Sequence, residues 1–115
     1  MRRRAVLAGL LAAPAVLAAE SAHWFRTTDG VRLRYLDAGA GRCVVFVPGW
    51  CMPARIFAPQ ITALARRWRV VALDPRGQGQ SEVPRIGYEP TRRGQDIRDL
   101  IAHLGERRVV LAGWS

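Results

Sequence analysis

Apolar residues along this chain follow three patterns, and each predicts a different element. The first is alternation. In "HWFRTTDGVRLRYLDAG" two short runs, Trp24 to Thr27 and Val31 to Leu36, flank Asp29-Gly30, with Arg32 and Arg34 set between Val31, Leu33 and Tyr35. Asp-Gly between alternating runs signals a hairpin, because the tight turn needs residues that tolerate positive φ. The second pattern is the unbroken run: "CVVFV", "RVVALD" and "RVVLAG", starting at Cys43, Arg69 and Arg108. Runs without alternation suit strands covered on both faces, as in a parallel sheet.

The third pattern is helical. Phe57, Ile61, Leu64 and Trp68 share one stripe, and Ile97, Leu100, Ile101 and Leu104 share another. Pro59 fits a helix only in its first turn, so the regular helix is predicted to begin near Ala58, after a loop or a short irregular turn. The second helix is predicted from Thr91, with Gly105 as its terminator. Between them "PRGQGQSEVPRIGYEP" is too rich in glycine and proline to be anything but loop. The order is hairpin, strand, helix, strand, helix, strand. It predicts an α/β fold with a parallel sheet and right-handed crossovers.

The first 22 residues, "MRRRAVLAGLLAAPAVLAAESA", stand apart from this pattern. Three arginines, an apolar stretch from Ala5 to Ala19 and then small residues make an export leader, with cleavage expected between about Ala18 and Ala22. A membrane span needs roughly 20 apolar residues, and this run is shorter and holds Gly9 and Pro14. The expected destination is the periplasm or the exterior, with no stable span once the leader is gone; an uncleaved leader acting as an anchor is the alternative. Arg3-Arg4-Ala5-Val6-Leu7 resembles a twin-arginine signal, with Ala8 where a lysine-like residue would stand, and an ordinary secretory signal fits equally well. The domain organisation is then a signal over 1–22 and one α/β unit over 23–115.

Composition narrows the function classes. The formal charge is +9, and all 18 basic residues are arginine. They are scattered rather than gathered with aromatics on one element, which argues solvated faces and no nucleic-acid partner. Cys43 and Cys51 are the two cysteines. An extended strand from Cys43 to Val47 already covers ~13 Å, whereas bridged Cα atoms lie within about 7 Å. Two free, mostly buried thiols are therefore expected. No zinc spacing is present, and no metal or cofactor is expected. A dinucleotide loop at Gly77-Gln78-Gly79 fails because Glu82 replaces the third glycine and Pro84 blocks the helix; a Walker loop fails for want of any lysine.

Three loops follow the carboxyl ends of the three apolar strands, where ligands bind in open α/β sheets. They are Pro48-Gly49-Trp50, then Asp74-Pro75-Arg76-Gly77-Gln78-Gly79-Gln80-Ser81, then Gly113-Trp114-Ser115. In this order they resemble the α/β-hydrolase family, in which a His-Gly loop, D-x-R-G-x-G-x-S and G-x-S-x-G follow successive strands. The middle motif is matched at Asp74, Arg76, Gly77, Gly79 and Ser81, and "DIRDLIAHLG" resembles the helix before the elbow. The resemblance runs from about residue 24 to Ser115 and implies the N-terminal part of such a domain, cut after the fifth strand at the nucleophile elbow.

It also implies roles. Ser115 would be the nucleophile on a tight strand-to-helix turn, with Gly113 as one of the small neighbours that turn needs. The Trp50 backbone N–H would give one half of the oxyanion hole, and the residue after Ser115 the other. Pro48 stands where the family has histidine, a departure that leaves the bracing of this loop open. Asp74 and Arg76 are read as loop braces rather than catalysts, and Gly49, Gly77, Gly79 and Ser81 as parts of the same structural loops. His23 and His103 are read as surface or boundary residues, so the base and the acid of the triad are expected outside this chain. The implied activity is hydrolysis of an ester or similar small acyl substrate by the intact protein, with this stretch alone inactive. Haloperoxidase-like esterases, lactonases and acyltransferases share the serine; epoxide and haloalkane hydrolases, with an aspartate nucleophile, do not fit it. A non-catalytic binding scaffold on the same fold stays open.

Overall fold

The computed structural model describes residues 20–115. Most of the expected leader lies outside that range, so the signal over 1–22 is outside the described residues except for its last three positions. Two of those, Ser21 and Ala22, belong to a strand. The first hairpin pairs β1 (Ser21–Arg26) with β2 (Arg32–Ala38) in antiparallel register from Ser21↔Asp37 to Arg26↔Arg32. The strand thus starts three residues before the alternation becomes visible. Ser21, Ala22 and His23 are exposed, so no apolar periodicity marks them.

Three further strands follow: β3 (Cys43–Val47), β4 (Arg69–Asp74) and β5 (Val109–Gly113), with helix α1 (Ala58–Leu64) between the first two and α2 (Pro90–Leu104) between the last two. A 3-10 turn at Ala54–Phe57 leads into α1, and Pro59 occupies its first turn. The sheet order is β1-β2-β4-β3-β5. β3 runs parallel to β4 and β5, while β2 joins β4 antiparallel, which makes the sheet mixed. The hairpin extends the sheet rather than standing beside it because its inner strand carries Leu33 and Tyr35 on one face and Leu36 and Ala38 on the other, all buried.

Each face of the sheet has its own core. Cys43, Val45, Val71 and Leu73 join Phe25, Leu33 and Tyr35 on the side covered by α2, where Leu100 is wholly buried and Ile97, Ile101 and Leu104 pack around it. Val44, Val70 and Ala72 join Leu36 on the other side, against Phe57 and Ile61 of the 3-10 turn and α1. Both faces being covered is the reason the runs at β3 and β4 do not alternate. The connection from β3 to β4 runs toward one edge and that from β4 to β5 crosses back over β3. Two crossovers of one hand running in opposite directions place their helices on opposite faces. Their reversal leaves a crevice at the carboxyl ends of β3 and β5.

The expectation of two buried thiols needs correction. Both cysteines are free and Cys43 is buried, but Cys51 is exposed, because it sits beyond the end of β3 in a loop whose side chains leave the core.

Candidate active site

The loops after β3, β4 and β5 converge at one end of the sheet. Trp114 N donates to Val47 O at 3.2 Å, which holds the segment after β5 alongside the end of β3. Gly49 then lies flat against that segment: a Cβ there would stand 2.8 Å from Trp114 O and 3.0 Å from Ser115 Cα. Any side chain at position 49 would push the two backbones apart. The glycine thus lets the loop that carries Trp50 lie against the backbone at Ser115. Met52 N donates to Gly49 O at 3.1 Å and closes a four-residue turn from which the Trp50 N–H is left out. Ser115, Trp50 and Trp114 are exposed.

Asp74 ends β4 and is 2% exposed. Its Oδ1 accepts from Ala54 N at 2.6 Å and its Oδ2 from Gln80 N at 3.0 Å, so one carboxylate ties the β3–α1 loop to the β4–α2 loop. Arg34 Nη1 stands 3.7 Å from Oδ2. Gly79, at φ +54°, lets the loop fold back over this carboxylate, since a Cβ would come 2.1 Å from Asp74 Oδ1. Ser81 Oγ donates to Asp74 O at 2.6 Å and accepts from Arg34 N at 2.8 Å, which fastens the loop to β2.

Arg76 is 1% exposed. Its Nε and Nη2 donate to the two carboxylate oxygens of Asp96 at 2.7 and 2.8 Å, Nη2 also to Asp29 at 2.9 Å, and Nη1 to Ile86 O at 3.1 Å. Burial alone would disfavour its charge, but Asp96 and Asp29 outweigh that cost and raise its pKa. The same contact, a hydrogen bond from Arg76, lowers the Asp29 carboxyl to about 2. With the Asp74 carboxylate committed to loop backbone amides and Arg76 to Asp96, Asp29 and the Ile86 carbonyl, both residues have the geometry of braces. Gly77 N, between them and the loop tip, donates to Glu82 O at 2.9 Å.

Neither histidine comes near the serine. His23 lies on β1, at the opposite sheet edge from β5, and five strands at ordinary spacing put those edges roughly 19 Å apart. His103 stacks on Phe25, at 5.6 Å between ring centroids, on that same side. Among the described residues no group of His, Cys, Asp and Glu could hold a metal ion, and no helix is long and apolar enough to cross a membrane.

The sequence singled out Asp74, Arg76 and their glycines but missed three residues that complete these loops. Asp96 is buried on α2 and takes the Arg76 fork. Its signal was its place one turn before Leu100, on the buried side of the helix, where an unpaired carboxylate would not survive. Gln78 and Arg93, joined by a hydrogen bond of 3.2 Å, reach the Gly49–Met52 turn. Nothing in their spacing marked them, since 15 residues of loop and helix separate them.

Comparison with known proteins agrees with this architecture. The model of a family described as the alpha/beta hydrolase family matches residues 44–115. The chain is 34% identical over 97 residues to a soluble epoxide hydrolase from Corynebacterium sp. (strain C12), covering 84% of this chain and 34% of that protein. It is 36% identical over 89 residues to a non-heme haloperoxidase from Rhodococcus erythropolis, covering 76% of this chain and 32% of that one. Among solved structures, an esterase from Exiguobacterium antarcticum superposes with a TM-score of 0.77 at 32% identity, over 80% of this chain and 35% of its own. The chain thus spans about a third of the length of the relatives it matches.

Proposed function

The chain belongs to the alpha/beta hydrolase family, and from that premise we propose that the intact protein is a serine hydrolase in which Ser115 attacks an ester or similar acyl carbonyl. The observation that supports this reading is the close approach of Gly49 to the Trp114-Ser115 backbone, because Gly49 belongs to the loop that carries the Trp50 amide. A serine hydroxyl needs an adjacent base at neutral pH. Neither histidine of this chain lies near it, so the base comes from sequence outside residues 20–115. The Oγ proton passes to that base as the Oγ–carbon bond forms. The oxyanion is then held by the Trp50 N–H and by the amide after Ser115. As the intermediate collapses, the alcohol leaves with the proton, and water later attacks the acyl carbon and frees the serine. A lactonase, a haloperoxidase-like esterase or an acyltransferase would use the same serine and differ in substrate or acyl acceptor. A hydroxyl rather than a carboxylate at position 115 argues against an epoxide-opening role.

The test is Ser115→Ala in the intact protein. Loss of a nucleophile typically costs several orders of magnitude in kcat, so turnover of a short-chain aryl ester and labelling by a fluorophosphonate should both vanish. Arg76→Ala should reduce activity only in proportion to lost stability. Wild-type esterase activity in Ser115→Ala would falsify the reading and leave a binding scaffold as the better account.

A further inference from the structure

The turn that presents the Trp50 amide is held in a geometry its own sequence resists. Its third residue, Cys51, has φ 66° and is the one non-glycine with positive φ among the described residues. Turns of this kind ordinarily place glycine or asparagine there, because an L side chain rarely adopts that backbone. Local preference alone would relax the turn and move the Trp50 N–H with it. Something outside the turn must hold it.

Gln78 does so. Its side chain is buried, and Nε2 donates to Gly49 O at 3.0 Å and to Met52 O at 2.7 Å, so one amide grips both ends of the turn. That grip works in one orientation of the amide, with nitrogen toward the two carbonyls. Arg93 selects it: Nη2 donates to Gln78 Oε1 at 3.2 Å, and a guanidinium has only donors to offer. The Arg93 guanidinium also lies over the Trp50 ring, 5.5 Å from its centroid. A chain of contacts therefore runs from α2 through Arg93 and Gln78 to the turn.

The position of Arg93 is not explained by ion pairing. Arg69, Arg76 and Arg92 each bind carboxylates, whereas Arg93 forms no ion pair among the described residues, and its Nη1 is buried without a partner there. A buried donor left unpaired is costly and uncommon. An apolar side chain would avoid that cost, and would lose the hold on Gln78 and Trp50.

We propose that Gln78 and Arg93 are positioning residues for the oxyanion hole: Arg93 orients the Gln78 amide and braces the Trp50 ring, and Gln78 holds the Gly49–Met52 turn so that the Trp50 N–H stays beside Ser115. This rests on the reading of Ser115 as nucleophile. An oxyanion donor matters chiefly in the transition state, so its misplacement lowers kcat more than it raises KM.

The experiment uses the intact enzyme with a short-chain aryl ester. It compares Gln78→Glu, which can face Arg93 but cannot donate to the carbonyls, Arg93→Met, which removes the donor, and Arg93→Lys, which restores one. Misplacing a reacting group by about 1 Å can cost on the order of a hundredfold, so Gln78→Glu and Arg93→Met should each lose roughly ten- to a hundredfold in kcat, with KM within about twofold. Inhibition by an alkyl boronic acid, whose tetrahedral adduct puts an oxygen in the hole, should weaken in parallel. Arg93→Lys should recover much of the loss. Cys51→Gly added to Gln78→Glu should recover part of it, because glycine takes the turn without being held. Wild-type kcat in both Gln78→Glu and Arg93→Met, or losses no larger than the fall in folded fraction, overturns the proposal while a dead Ser115→Ala leaves the serine hydrolase standing. An active Ser115→Ala overturns both.

Discussion

At the scale of single residues, the loops are held by a few polar groups that each do several jobs. Asp29 is the clearest. It forms the hairpin turn with Gly30, yet its carboxylate also receives Arg76 at 2.9 Å from a loop 47 residues away. Its folded pKa of about 2 lies below the value near 3.9 of an unfolded chain. The folded state therefore binds fewer protons in that interval. The stabilisation is present above about pH 4 and is lost as pH falls through the folded pKa. Because the side chain is 31% exposed, solvent screening reduces its worth to on the order of 1 kcal/mol. Urea denaturation of the intact protein at pH 3 and pH 6 should show the wild type losing more stability on acidification than Asp29→Asn. Equal losses would show that the pair with Arg76 contributes nothing to acid sensitivity. The sequence marked Asp29 as a turn residue for a local reason, but the bond to Arg76 depends on how the hairpin docks.

At the scale of elements, α2 shows how a helix joins two tasks. Ile97, Leu100, Ile101 and Leu104 form the stripe that covers one sheet face. Gly105 ends the helix in the left-handed region at φ 74°. Both were legible, because periodicity and capping are local. The opposite end of the same helix carries Arg92, Arg93 and Asp96 into the loop network. That role was not legible, because the residues they meet lie far off in sequence. Leu100 is the one residue of the stripe with no exposed surface. Truncating such a side chain costs about 2–5 kcal/mol through lost burial and the cavity left behind. Leu100→Ala should lower the stability of the intact protein by that amount in chemical denaturation. A cost under about 1 kcal/mol would mean that α2 is not a principal cover of this face.

For the described residues taken together, the feature that matters most is the sheet edge at β5. With β3 as its single neighbour among the described strands, β5 leaves Val110 44% and Leu111 55% exposed. Successive strand residues point to opposite faces, so both faces are incompletely covered at this edge. A long apolar edge invites pairing with other chains. Expressed as residues 1–115 alone, the chain should aggregate or behave as a loose species with a broad thermal transition, and it should hydrolyse nothing above background. Sedimentation and calorimetry would decide the first point. A monomer with one sharp cooperative melt would show that the two cores suffice without further cover.

One group of features is fixed by neighbours along the chain alone. These include three unbroken apolar runs, two helical stripes, the Asp29-Gly30 turn, the Gly105 stop and the order of loops from Gly49 to Ser115. Each follows from side-chain periodicity or backbone preference over a few residues. Tertiary structure alone decided the crossing of β4–β5 over β3, the mixed sheet, the exposure of Cys51 and the partners of Arg76. It also decided the hold of Gln78 and Arg93 on the Gly49–Met52 turn. Those depend on which distant segments are brought within hydrogen-bond reach, and a residue's own neighbours carry no record of that distance. Cys51 shows the difference most plainly: local preference disfavours its φ of 66°, and packing from two other elements imposes it.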